Sequence, residues 1–293
     1  MIEIRALDAA LLRDFPLPTH KEDGDKEDRG RLLLVAGSAQ LPGAALLAGV
    51  AALRAGAGKL QILTAGSIAA PLGVAVPEAR VIGLEESGEG CLAESAIEPM
   101  LRWAADARAM TLGCGLQHGR PLDALLDALL ASGLGLPLVL DAAVLGSLAE
   151  RAGVLRARAG GSVLLPHARE MARLLRWEPD EVTADPLAAA RAASERFGCV
   201  VVIKGAWSFI VAPDGGSYRF EGGGIGLATS GSGDVLAGIV GGLCARGADP
   251  LTATLWGVWL HGESGRQLAR TVGRIGFLAR EIPDLIPRLM ERY

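Results

Sequence analysis

The sequence predicts an α/β fold built on a mostly parallel sheet, and three observations carry that expectation. Short, continuous apolar runs alternate with longer helical patterns along most of the chain. One strand–turn–strand pattern interrupts that rhythm late in the sequence. The chain has 293 residues, 50% of them hydrophobic, enough to bury a large core within one domain. Unbroken apolar runs are what strands covered on both faces show, and strands separated by helices imply right-handed crossovers. No linker, low-complexity tract or internal repeat divides the chain, so residues 1–293 are expected to form a single domain.

The elements follow in order. The dodecapeptide HKEDGDKEDRGR, from His20 to Arg31, is charge-dense and reads as a solvated N-terminal loop. Residues 32–36 form the first apolar strand, followed by the loop GSAQLPG and a helix over 44–55. The strand pattern recurs at 60–64, 109–112, 137–140, 162–165 and 200–204, each run leading into a helical segment. Residues 207–212 and 217–220 flank Pro213, Asp214, Gly215 and Gly216, which reads as a β-hairpin at a sheet edge. Helices are expected over 234–245, 250–270 and 277–288.

Composition weighs against several partners. Net charge is −4 and no basic run stands out, which argues against nucleic acid and anionic membrane surfaces. The first sixteen residues mix charges with apolar residues and hold no apolar core of signal-peptide type, and no run approaches the roughly 18 apolar residues of a membrane span. Cys91, Cys114, Cys199 and Cys244 lie far apart without a CxxC pair, as expected for reduced thiols of a cytoplasmic protein.

In an open parallel sheet, ligands sit beyond the carboxyl ends of the strands, so the loops there carry the chemistry. The stretch ATSGSGDVLAG (228–238) is the most informative of them. Gly231, Ser232 and Gly233 precede Asp234 and a run that starts a buried helix. A small-residue loop entering a helix turns several unpaired N–H groups toward one point, where the helix dipole adds partial positive charge. Asp234 at such an anion site is placed to take a proton from a hydroxyl attacking phosphorus; the simpler alternative is an ordinary first-turn aspartate. Lys204 closes a strand before Gly205, either as a point charge for phosphate or as a lysine reaching to water. His167 is a cap or a substrate contact, Asp141 holds a metal-bound water or caps the next helix, and His261 reads as structural. A Walker loop would need glycine at Leu53 and a hydroxyl residue at Leu60, and a dinucleotide fingerprint would need glycine at Leu236, so both signatures fail.

With these residues in place, the chain resembles the NAD(P)H-hydrate dehydratases of the ribokinase-like superfamily over nearly its whole length. Six segments carry the resemblance in order, at 30–60, 112–117, 138–145, 164–175, 201–215 and 224–243, with WLHGESG (259–265) after them. The resemblance implies a three-layer α/β/α sandwich and an ADP- or ATP-dependent lyase using Mg²⁺. It implies catalysis by Asp234 and a nucleotide held by Lys204, Gly205, Ala206, Trp207, Ser208, Gly231, Ser232 and Gly233. It places hydrated NADH or NADPH against Ala44, Gly115, His167 and Asp234, with no protein metal ligands assigned, and it implies a homotetramer. Many relatives carry a fused epimerase domain; 293 residues leave no room for one, so a separate epimerase partner is implied.

The chain departs from the family pattern around the substrate. Ala168 and Arg169 stand in the proline-histidine-proline-glycine-glutamate segment, Ala143 replaces a second aspartate behind Asp141, Cys114 and Gln117 replace proline and glycine, and Glu22 follows Lys21 where a lysine-glycine pair is usual. Three readings follow: the dehydratase, a sugar or vitamin-precursor kinase of the same superfamily, and a nucleotide-binding protein without chemistry. The intact GSGD argues against the third.

Overall fold

Leu32, Leu34 and Ala36 bury on one side of their strand while Leu33 and Val35 bury on the other, which makes this strand a central one. The computed structural model describes residues 3–20 and 24–292. In chain order its elements are β1 (Ile4–Ala6), β2 (Arg31–Val35), α1 (Pro42–Arg54), β3 (Lys59–Ala65), α2 (Gly66–Ala75), β4 (Ala79–Leu84), α3 (Ile97–Ala105) and β5 (Ala109–Leu112). They continue through α4 (Arg120–Ala131), β6 (Leu138–Leu140), α5 (Ala143–Gly146), α6 (Ala152–Arg156), β7 (Ser162–Leu164), α7 (Ala168–Leu175), α8 (Pro179–Ala184) and α9 (Pro186–Phe197). The last are β8 (Val200–Ile203), β9 (Trp207–Val211), β10 (Ser217–Glu221), α10 (Ser232–Ala245), α11 (Pro250–Thr271) and α12 (Ile286–Met290).

The strands form one ten-stranded sheet in the order β1-β10-β9-β8-β7-β6-β5-β2-β3-β4, in which β9 runs against both its neighbours and the other described pairs are parallel. The hairpin β9–β10 stands near one end of the sheet, with β1 paired outside it, Ile4 opposite Ser217. Helices α1, α10 and α11 cover one face and α3, α4, α7 and α9 the other, giving a three-layer sandwich with a core on each side. From β2 the chain moves out through β3 and β4, then returns to β5 on the opposite side of β2. The loops after β2 and β5 therefore diverge at a topological switch point, where such sheets bind ligands.

Helix α10 is buried along nearly its whole length because small residues let it approach its neighbours. A Cβ on Gly238 would collide with the carbonyl oxygen of Ala48 in α1, so backbone lies on backbone there. One turn later a Cβ on Gly242 would stand 2.5 Å from the Ala52 carbonyl oxygen. This seat fixes where the first turn of α10 points.

The expected helix over 277–288 is corrected to two 3₁₀ turns, Ala279–Glu281 and Pro283–Leu285, and the five-residue α12. Pro283 and Pro287 lack the N–H groups a continuous helix would use. Of the charged segment expected as a loop, residues 21–23, including Lys21 and Glu22, lie outside the described residues. Residues 24–29 are exposed, and Glu27 pairs with Arg31 and Lys59.

Candidate functional site

The strand ends bring together residues far apart in sequence. Lys204 follows β8, and its N–H donates to the Pro166 carbonyl (2.9 Å), which sets it beside His167 at the end of β7. Its Nζ donates to Asp141 Oδ1 at 2.8 Å, past the end of β6, and the Asp141 side chain is only 3% exposed. Burial pushes the Asp141 carboxyl upward while Lys204 pulls the other way. For Lys204 burial works against the ammonium, but Asp141 and Glu170 outweigh it and hold the group above its ordinary value. Ala142, just after this carboxylate, has φ 53° and ψ −123°. Such a backbone costs on the order of 1–3 kcal/mol for a residue with a Cβ and clusters at functional sites.

Asp234 occupies the first turn of α10 on the same side of the sheet. The N-cap is Gly231 with φ 87°, the helix carries no side-chain cap, and Gly233 N and Asp234 N have no protein acceptor among the described residues. A Cβ on Gly233 would lie 3.4 Å from Lys204 Nζ and 3.7 Å from Asp141 Oδ2, so the open helix end and the ion pair face each other across one glycine. Asp234 is half-buried, and burial, then the charge of Asp141, push its carboxyl up to about 6. The Cys114 thiol and Lys204 favour its ionised form. Cys114 is itself fully buried, which raises its thiol well above the usual value.

A cavity of about 640 Å³ opens before this helix end. Lys204, Gly205, Ala206, Ser208, Ser232 and Gly233 line it, with His167 at its rim and Phe220, Ile225, Leu227, Leu236 and Val258 giving an apolar wall. That is ample for a nucleotide, and lining apolar surface with few polar groups is what small-molecule sites show. His261 also lines it; its Nε2 stands 2.9 Å from Ser232 Oγ and 3.0 Å from the Ser232 carbonyl oxygen. Burial lowers this imidazole to about 4, so it is neutral at physiological pH. Trp207 does not line the cavity: its ring carries the Arg219 guanidinium at 4.2 Å. Gly231 packs against Leu47 behind the loop.

At the switch point Ala44 and Gly115 meet. Gly115 has φ 66°, and a Cβ there would lie 2.6 Å from the Ala44 Cβ and 2.8 Å from the Leu41 carbonyl oxygen, so glycine is required on both counts. The Gly37 amide donates to the Cys114 carbonyl at 2.8 Å, tying the two diverging loops together. His167 is the N-cap of α7: its Nδ1 accepts from Arg169 N (3.1 Å) and Glu170 N (3.3 Å), and Glu170 Oε2 accepts from His167 N (2.8 Å). Its Nε2 remains directed outward, 3.6 Å from Glu170 Oε1.

Sequence reasoning singled out Asp141 and Lys204 without pairing them, and it had no signal for Cys114 beside Asp234 or His261 beside Ser232. Among the described residues, no three His, Cys, Asp or Glu side chains converge to cage a metal ion.

A doubly covered, mostly parallel sheet with a nucleotide-sized cavity between the hairpin and the N-terminal end of α10 is the ribokinase-like fold. The chain belongs to the NAD(P)H-hydrate dehydratase family, whose model matches residues 32–288. It is 47% identical to the ADP-dependent (S)-NAD(P)H-hydrate dehydratase of Xanthomonas campestris, over 99% of this chain and 97% of that one. A bifunctional NAD(P)H-hydrate repair enzyme of Moorella thermoacetica is 36% identical over 98% of this chain, which spans 54% of that relative. The fold superposes on the crystal structure of the ADP/ATP-dependent NAD(P)H-hydrate dehydratase of Bacillus subtilis, co-crystallised with ATP/Mg²⁺, with a TM-score of 0.84, 30% identity and coverage of 100% and 99%.

Proposed function

We propose that this chain restores NADH and NADPH from their hydrated forms by phosphorylating the ring hydroxyl with ADP or ATP and expelling it as phosphate. The observation that carries the reading is Asp234: a half-buried carboxyl titrating near 6, one residue from the glycine that faces the Lys204–Asp141 pair, at an uncapped helix end.

Hydroxide is a poor leaving group from the hydrated ring. Asp234 takes the hydroxyl proton as the oxygen attacks the terminal phosphorus of the nucleotide, and the bond from that phosphorus to the bridging oxygen breaks. The amides of Gly233 and Asp234 and the ammonium of Lys204 meet the charge on the transferring group, a positioning and electrostatic role worth roughly 3–4 kcal/mol for one such donor. The ring-nitrogen lone pair then drives out inorganic phosphate, and loss of the adjacent ring proton restores the dihydronicotinamide. Gly205, Ala206 and Ser208 bound the nucleotide cavity, Trp207 stands between them in sequence without lining it, and Ser232 is held by His261. Ala44, Gly115 and His167 contact the nicotinamide substrate. Mg²⁺, when bound with the nucleotide, would neutralise phosphate charge.

The homotetramer, of this single-domain chain, is carried over from the family resemblance; Val272 (57% exposed), Ile275 (75%) and Leu278 (45%) are exposed apolar side chains close together in sequence. No described helix is long and apolar enough to cross a membrane. We place the enzyme in the cytoplasm, working with an epimerase that acts on the same hydrated dinucleotides. The test supplies hydrated NADH with ADP or ATP and Mg²⁺ and follows dihydronicotinamide absorbance and free phosphate together. Stoichiometric appearance of both is expected; nucleotide consumption only with an added alcohol would replace this reading with the kinase.

A further inference from the structure

His167 lines the large cavity and also a second hollow of about 290 Å³, shared with His118, Gly146, Arg169 and Arg173. On its other flank the same stretch of α7 borders an open hollow of about 520 Å³, where Arg169 and Arg173 recur beside Arg176 and Trp177. The two arginines therefore form a ridge that begins at the cleft and runs outward. They are four residues apart on one helix, so they share a face about 6 Å apart along the axis, close enough for both guanidinium groups to reach one diphosphate.

Their charge is not spent elsewhere. Neither arginine makes an ion pair or side-chain hydrogen bond among the described residues, whereas the neighbouring Arg176 is paired with Glu150. The acid inside the second hollow, Glu170, is already engaged by the His167 amide and faces its imidazole. The acid on the outer rim, Glu178, is held in its own helix cap with Glu181. In a chain of net charge −4, two unneutralised arginines at the mouth of a reaction cleft are a recognition feature for an anion. Resting on the dehydratase reading, the chemistry of that anion follows: with the nicotinamide end at Asp234 and the co-substrate in the larger cavity, the substrate's phosphates must leave the cleft past His167.

We propose that Arg169 and Arg173 bind the phosphate groups of the dinucleotide substrate as it extends from the cleft along α7. Arginine suits this role because its fork of donors matches phosphate oxygens. The two possible contacts, the diphosphate bridge and the 2′-phosphate of the NADPH form, differ in outcome.

The test titrates NADH and NADPH fluorescence against the full chain and the Arg169→Gln/Arg173→Gln variant at two salt concentrations, alongside steady-state kinetics. Expected are an unchanged melting temperature, a Kd raised about tenfold per arginine, a weaker salt dependence, and kcat and nucleotide KM within twofold of the parent. Equal loss for both dinucleotides assigns the diphosphate; loss for NADPH alone assigns the 2′-phosphate. Unchanged Kd for both in the variant, or a parent that binds neither, overturns the proposal. A parent that binds NADPH but leaves hydrated NADH unconverted would instead overturn the dehydratase reading and leave this site standing.

Discussion

Helices α7 and α10 begin at the same cleft and finish their N-termini in opposite ways. At α7, His167 accepts two amides and Glu170 reciprocates to the His167 amide, so the helix end is satisfied from within. At α10, Gly231 offers no side chain and the amides of Gly233 and Asp234 are left open. A capped end has no further capacity for an anion, while an uncapped end beside a lysine is an anion site in waiting. The polar cap before α7 closes that helix end on itself, whereas the glycine before α10 leaves amide donors facing the cleft.

The comparison is broken most forcefully at Asp234. Asp234→Asn is expected to lower turnover by about 10³ or more, as loss of a general base does, while nucleotide affinity measured by calorimetry stays within a few-fold. The same substitution should stabilise the protein. The folded carboxyl titrates near 6 against an ordinary 3.8. The fold therefore loses stability as pH rises from 3.8 to about 6, the loss is complete above 6, and below 3.8 the group is neutral in both states and costs nothing. The variant should gain on the order of 1–3 kcal/mol in denaturant unfolding at pH 7.5, with the gain vanishing near pH 3.5.

Removing the cation opposite the open end comes next. Lys204→Met leaves Asp141 buried without its partner and should cost about 2–3 kcal/mol, below the 3–5 of a fully enclosed pair because the lysine side chain is 21% exposed. Its nucleotide KM should rise at least tenfold. Gly238→Ala pushes α10 off α1 and should cost about 1–3 kcal/mol of stability, with a matching rise in nucleotide KM because the open end moves. The smallest effect sharpens the other side of the comparison. His167→Ala removes a cap worth about 1 kcal/mol, and His167→Asn should recover that stability. Because the proposed reading has His167 touch substrate, the asparagine variant should keep a raised substrate KM despite normal melting.

Much of the fold was legible because continuous apolar runs are unambiguous when strands are buried on both faces. The expected strand at 32–36 is observed at Arg31–Val35, and the expected helix at 250–270 at Pro250–Thr271. β1, only three residues and exposed throughout, carries no such pattern, and β4 is an edge strand with a single fully buried residue. The open helix end was readable because its parts are contiguous from Gly231 to Asp234. The Lys204–Asp141 pair was not, since the two residues lie 63 positions apart and meet only because β6, β7 and β8 are sheet neighbours. The contacts of Cys114 and His261 depend equally on tertiary packing.

The most direct test of the account is the pH dependence of a single turnover, with enzyme and nucleotide in excess over hydrated NADH. For the parent the rate should fall about tenfold per pH unit below an inflection near 6 and level off above it, and in Asp234→Asn the rate should be about 10³ lower with no such inflection. An Asp234→Asn rate within tenfold of the parent, or one that keeps the parent's inflection, would contradict the claim that this carboxylate takes the hydroxyl proton.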